Sequence, residues 1–164
     1  MRRDPAFDSP ACNSMDISKS FCAFVDADIY IYTHATAPFV TAESIDKGLD
    51  AMIYEGRDSA FAVTENHAFL WVDGEPNYDL TRLPRTQDMK PFYIESGGFW
   101  LYTKELILTH GRRIGFNPAM VPVSSIEALD IDEKIDFDMA NAVYNYLVLP
   151  KYPPPPPNTG VAHG

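Results

Sequence analysis

Between residues 26 and 66 the hydrophobic period of the chain changes twice, and this change limits the available folds more than any other feature. "DADIYIYTH" (26–34) is a short, β-rich and largely apolar run, the pattern of a buried strand. "TAESIDKGLDAMIYEG" (41–56) then puts Ile45, Leu49, Met52 and Ile53 on one helical face, with Thr41 placed to cap the helix and Gly56 to end it. "DSAFAVTEN" (58–66) returns to a strand pattern. Strand, helix and strand in succession imply an α/β fold with a layered sheet.

The remainder fits this frame. Residues 1–20, with Pro5 and Pro10, read as a loop with one helical turn near "SMDISKSFCAFV". "AFLWVDGEPNY" suggests a strand entering a turn at Asp73-Gly74. Residues 77–91 have no clean period, as expected of a functional loop or an interface arm. "FYIESGGFWLYT" (92–103) is a strand with two central glycines, "TKELILTHG" (103–111) a short helix capped by Thr103, and "NPAMVPV" a further strand. From 133 to 148, Ile135, Met139, Val143 and Leu147 recur every four residues and predict a helix. Residues 1–148 thus form the folded domain, and 149–164, with five consecutive prolines, are read as a disordered, proline-rich tail.

Bulk properties exclude several function classes. The 164 residues are 46% apolar and 22% charged, ordinary for a globular protein, and carry a net charge of −10. Nucleic-acid binding needs clustered Lys and Arg, so no nucleic acid is expected as partner. No apolar run reaches membrane-spanning length, and the first residues lack the apolar core of a secretory signal. Cys12 and Cys22 have no metal-ligand spacing. A cytoplasmic, disulfide-free protein without a membrane association is the expectation.

In layered α/β sheets, ligands sit at the carboxyl ends of the strands, which singles out three stretches. The first is "THATAPF", where His34 and Thr36 follow a strand. A second, "RLPRTQDMKPFYIESGGFW", offers Arg82 and Arg85 as planar forks for carboxylate or phosphate, and Gln87 for amide contacts. Its Gly97 and Gly98 mark either a bulge or a close ligand approach, and Phe99 and Trp100 could wall a pocket. The third, "EALDIDEKIDFD" (127–138), holds six carboxylates in twelve positions. In an extended chain Asp130 and Asp132 point to one side, where a hard cation such as Mg²⁺ would relieve their repulsion. Alternatively, Asp132 caps the following helix, and Glu133 favours its positive end.

The order of these motifs resembles the acylneuraminate cytidylyltransferase family over about residues 1–148. "DADIYIYTHATAPFVTAESIDKGLDAM", "DSAFAVTENHAFLW", "PRTQDMKPFYIESGGFWLY" and "EALDIDEKIDF" follow one another as the family's motifs do. The resemblance implies a Rossmann-like nucleotidyltransferase (glycosyltransferase-A-like) three-layer sandwich, a homodimer, and Mg²⁺ as cofactor. It further implies transfer of CMP from CTP to a sialic or related nonulosonic acid, with pyrophosphate released. Asp130 and Asp132 resemble the family's metal-binding aspartates, and Asp132 with Arg85 its catalytic residues. "HATAPF", with His34 and Thr36, takes the place of its Gln-Pro-Thr-Ser-Pro-Leu loop near the sugar. Arg85 and Gln87 match its Pro-Arg-x-Gln segment, which binds the sugar acid or crosses the dimer. Gly97 and Phe99 fall in its Asn-Gly-Ala-Phe-like strand.

This sequence departs from the family in three places. His34 stands where many members have glutamine, and Ser96 where asparagine is usual. The family's first strand and its basic, Gly-rich phosphate loop, roughly Pro-Ala-Arg-Gly-Gly-Ser-Lys-Gly, have no counterpart here. The expected fold is therefore N-terminally truncated. The rival expectation to enzyme activity is a catalytically inactive homologue that binds sugar acid or pairs with a full-length partner.

Overall fold

The computed structural model describes residues 5–9 and 11–151. The proline-rich tail expected from residue 149 lies almost wholly outside them. The chain divides into two compact units, Met1–Asp130 and Ile131–Gly164.

The first unit holds the sheet. Its elements in chain order are α1 (Ser14–Phe24), β1 (Tyr30–Thr33), α2 (Ala42–Tyr54), β2 (Ser59–Asn66), β3 (Trp71–Val72), β4 (Glu75–Pro76), β5 (Phe92–Tyr102), α3 (Lys104–Leu108) and β6 (Pro118–Pro122). Four strands pair in the order β1-β5-β2-β6. β5 runs antiparallel to both neighbours, whereas β2 and β6 are parallel, so β1, β2 and β6 share one direction. The short β3–β4 hairpin turns at Asp73 and Gly74, both with positive φ, as the Asp-Gly pair suggests.

Period-two alternation sorts the side chains of β2 and β5 onto two faces. Phe61, Val63, Trp100 and Tyr102 meet Cys22 of α1 and Leu106 and Ile107 of α3. Ala60, Ala62, Phe99 and Leu101 meet Ile45, Leu49 and Met52 of α2. Helices therefore cover both faces, giving the expected three-layer α/β arrangement. α2 lies close to the sheet because Gly48 has no side chain. A Cβ there would come within 3.2 Å of Ala60 Cβ and 2.5 Å of Leu101 Cδ1. Ile53, expected on the packed face, falls beside this contact stripe and is exposed.

Two elements differ from expectation. Residues 14–24 form a full helix rather than one turn, because Asn13 accepts from the N–H groups of Met15 and Asp16 while Asp16 accepts from that of Asn13. β1 is an edge strand rather than a buried one: Tyr30 packs, but Ile31 remains 50% exposed. Both cysteines are free, and burial pushes the Cys22 thiol up, as befits an inert core residue. Among the described residues, no helix is long and apolar enough to cross a membrane.

The loop after β6 is anchored to the start of α2. Glu127 accepts from the hydroxyls of Thr41 and Ser44, both at 2.7 Å, and from the Ser124 hydroxyl at 3.2 Å. Burial alone raises the Glu127 carboxyl, but bonds from Ser44, Thr41 and two backbone N–H groups outweigh it, so the group sits below its usual range. A second clamp joins Asp58 to the backbone N–H of Asn117 at 2.9 Å and to that of Phe116.

In the second unit, α4 (Lys134–Val143) continues into a π-helical turn, Tyr144–Val148, within the predicted range. Asp136 accepts from the backbone N–H groups of Asp132 and Glu133, at 3.2 and 2.8 Å. The helix start is thus held by Asp136, not by the Asp132 side chain, and Asp138 pairs with Lys134 at 2.7 Å.

Two outcomes follow for stability. Gly48→Val drives a branched side chain into Leu101, and urea unfolding should register a loss of about 1–3 kcal/mol. A carboxyl depressed in the folded state stabilises fully above its unfolded value, 4.5 for Glu127, and less as pH falls through the lower folded value. Glu127→Gln should therefore be less stable than the unaltered chain near neutral pH, the gap narrowing as urea titrations move from about pH 5 to about pH 3. A gap that stays constant with pH would refute the carboxylate's role.

Candidate functional site

A cleft of about 560 Å³ opens at the carboxyl ends of β2 and β6, against the first half of β5. This is where the strand-end rule places ligands. It follows from an irregularity in β5: Phe61 faces Trp100 and Val63 faces Glu95, so Ser96–Phe99 lie opposite the single residue Ala62. Of the two readings of the glycine pair, the bulge is realised here.

The bulge gives Asp130 its place. A Cβ on residue 97 would overlap the Asp130 carboxylate, so only glycine admits it. Asp130 Oδ1 is buried with no hydrogen-bond partner among the described residues, and so is the hydroxyl of Ser96. Buried polar atoms are rarely left unpaired, and two of them beside one cleft point to a ligand. The loop that delivers Asp130 is the one that Glu127 ties to α2, which makes Glu127 a positioning residue. Sequence reading overlooked it, although Ser124-x-x-Glu127 has the form of a capping box, and the Glu127 N–H does donate to the Ser124 hydroxyl oxygen at 3.2 Å.

The other expected site residues are dispersed. His34 follows β1 and packs at a tilt against Trp100 and edge-on against Tyr32, with ring centroids 5.0 and 5.2 Å apart. Thr36 is exposed in the next turn. Phe99, expected at the substrate, is fully buried in the α2-side core, because the bulge returns it to the alternation of the strand. Arg85 and Gln87 lie in the exposed arm between β4 and β5, and neither lines the cleft. The Arg85 guanidinium is held by Asp88 at 2.8 Å. Asp132 opens the second unit with an exposed side chain, and residues 129–132 adopt no regular strand.

One cation near the cleft wall escaped sequence reading. Arg113 lies over the Trp100 ring at 3.9 Å and pairs with Glu95 at 2.9 Å, while Trp100 Nε1 donates to the same Glu95 oxygen at 2.8 Å. Glu65, also on the wall, is held by Tyr93 and faces His67. Among the described residues, no cluster of three or more His, Cys, Asp or Glu side chains could hold a metal ion. An ion at Asp130 would take few protein ligands and leave positions for substrate oxygens.

No protein-family model matches the chain. In sequence it is similar to N-acylneuraminate cytidylyltransferase from Oncorhynchus mykiss, 28% identical over 152 residues, covering 85% of this chain and 34% of that protein. It is also similar to N-acylneuraminate cytidylyltransferase A from Danio rerio, 26% identical over 149 residues, with the same coverage of 85% and 34%. The chain thus spans about a third of the length of these curated relatives. In fold it matches 4-diphosphocytidyl-2C-methyl-D-erythritol synthase from Anaerococcus prevotii with a TM-score of 0.59, over 82% of this chain and 68% of that one, at 12% identity. With its mixed α/β layers, the chain shares the Rossmann-like fold of that synthase and, in sequence, is similar to the N-acylneuraminate cytidylyltransferases.

Proposed function

We propose that this chain supplies the metal and sugar-acid side of a cytidylyltransferase acting on CTP and a sialic or related nonulosonic acid. In that reaction the sugar's anomeric hydroxyl attacks the α-phosphate and loses its proton, and pyrophosphate leaves. The observation that carries the reading is Asp130: a carboxylate seated on Gly97 with one buried, unpartnered oxygen, beside a cleft at the strand ends. A hard oxygen donor with few protein co-ligands fits Mg²⁺, which keeps several positions for water and phosphate oxygens. Mg²⁺ bound there would neutralise charge on the phosphates.

The chain's own residues have the following assigned roles. Asp130 is the first ligand and Asp132 the second, and Asp132 also serves the catalytic step with Arg85. Gly97 keeps space for the carboxylate, and Glu127 holds the loop in place. His34 and Thr36, just past the end of β1, are assigned to the sugar acid. Arg85 and Gln87 are assigned to the sugar acid or to a twofold partner. Exposed Leu80 and Leu83 on the same arm, with Phe69 and Trp71 packed against its Tyr78, support a homodimer.

A second reading, a homologue that binds sugar acid without turning over CTP, has one observation in its favour. Arg85 and Arg113 are each held by a carboxylate. Titration calorimetry separates the two readings. Micromolar CTP affinity in the presence of Mg²⁺ supports the transferase, whereas sugar-acid binding without CTP binding supports the alternative.

Asp130→Asn and Gly97→Ala should each weaken divalent-ion binding at least about tenfold, read with Mn²⁺ by electron paramagnetic resonance. Gly98→Ala should leave it unchanged, since a Cβ there presses on Val40, Ala62 and Ser96 at 3.2–3.4 Å rather than on Asp130. Equal Mn²⁺ affinity in all three variants and the unaltered chain would remove Asp130 as a ligand.

A further inference from the structure

The β2–β5 ladder stops at the pair Asn66↔Phe92. The next position on the β5 side is Pro91, which has no N–H to extend a ladder. Before it in the chain lies the arm, residues 78–91, which carries Arg85 and Gln87 and contains neither strand nor α-helix. The arm's internal hydrogen bonds are short-range: Thr81 and Arg82 bond to Asp79, Asp88 to Arg85, and Met89 to Thr86. Among the described residues, one hydrogen bond ties the arm to the rest of the molecule. The His67 imidazole Nδ1 donates to the Met89 carbonyl oxygen at 2.8 Å. A carbonyl only accepts, so Nδ1 carries the hydrogen whatever the charge of the ring. The other ring nitrogen, Nε2, faces Glu65 Oε1 at 3.4 Å, and Tyr93 donates to the second Glu65 oxygen at 3.2 Å. Glu65 lines the cleft, so the imidazole stands between the cleft wall and the arm.

Met89 adds an independent observation. It is only 8% exposed, whereas the side chain of Arg85, four residues earlier, is 73% exposed. Met89 also closes the short turn Thr86–Asp88: its N–H donates to the Thr86 carbonyl at 3.1 Å, and that of Asp88 to the Arg85 carbonyl at 2.9 Å. Holding Met89 therefore holds the backbone from which Arg85 and Gln87 project. Ordering that backbone in advance lowers the entropic cost of binding through its side chains.

We infer that His67 is a positioning residue for Arg85 and Gln87, its imidazole taking over where Pro91 ends the ladder; this rests on the reading above that assigns those two side chains to the sugar acid. The histidine touches no ligand itself and acts through the Met89 carbonyl.

The test compares His67→Ala, His67→Asn and His67→Gln by calorimetry with N-acetylneuraminic acid and by amide hydrogen exchange across residues 78–91. Asparagine puts an amide N–H where Nδ1–H stands, and glutamine puts one where Nε2 stands. His67→Ala should weaken N-acetylneuraminic acid about 3- to 10-fold, the size of one neutral hydrogen bond, and speed exchange in the arm. His67→Asn should restore both, and His67→Gln neither. Mn²⁺ affinity, which reads Asp130, should stay the same in all three. Unaltered exchange in His67→Ala overturns the tether, and rescue by glutamine rather than asparagine overturns Nδ1 as its donor. Faster exchange with unaltered sugar-acid affinity overturns the positioning role and leaves the proposed function intact, as does a parallel loss of Mn²⁺ affinity. If the unaltered chain does not bind N-acetylneuraminic acid, the proposed function fails, and the positioning role with it.

Discussion

Strand β5 carries more of this molecule than any other element. It is the antiparallel partner of both β1 and β2, so it joins the edge strand to the parallel pair. Its alternate residues feed both cores: Trp100 and Tyr102 meet α1 and α3, and Phe99 and Leu101 meet α2. Four of its residues are spent opposite one residue of β2, in the segment next to the cleft. That local surplus turns a strand whose second half is fully packed into a ligand-facing wall without breaking either core. The same surplus brings Gly97 under Asp130 and leaves Ser96 with an unspent hydroxyl.

The placement of Asp130 also depends on a distant contact. A loop end carrying a carboxylate into a partly buried position works against its desolvation. The opposing force here is a second carboxylate, Glu127, which is fully hydrogen-bonded at the start of α2. Three hydroxyls and the positive end of the helix favour the charged form of Glu127, so the loop is fixed by a strong anionic anchor. Asp130, three residues later, need not be stabilised by its own bonds.

The sequence made the layered architecture legible because strand and helix periods are local signals, and α2, β2, β5 and β6 fall where those signals lie. It missed the extent of α1, where Pro5 and Pro10 suggested a loop and the Asn13–Asp16 box was passed over. Phe99 was placed at the substrate because an aromatic in a strand has the same pattern whether it faces a pocket or a core. Only the register around the bulge decides between them. Glu127 could not be assigned from pattern alone, since Thr41 and Ser44 lie more than 80 residues away in the chain. Asp130 was singled out by the order of motifs, because its spacing from Asp132 served a helix cap equally well.

Charge provides the last constraint, because the chain is acidic overall, with a net charge of −10, and its arginines are few. Two arginines come into question, and they are held very differently. Arg113 is 29% exposed, stacked on Trp100 and paired to a glutamate that Trp100 also binds, so moving it breaks two contacts at once. Arg85 is 73% exposed and paired only with Asp88, three residues along a short turn. The pair is bidentate, Arg85 Nε to Asp88 Oδ2 at 2.8 Å and Nη2 to Oδ1 at 3.2 Å, but it is exposed, and an exposed pair is worth about 0–1 kcal/mol. Releasing Arg85 from its partner therefore costs less than releasing Arg113. The arginine that the sequence singled out is the more exposed and more loosely held of the two.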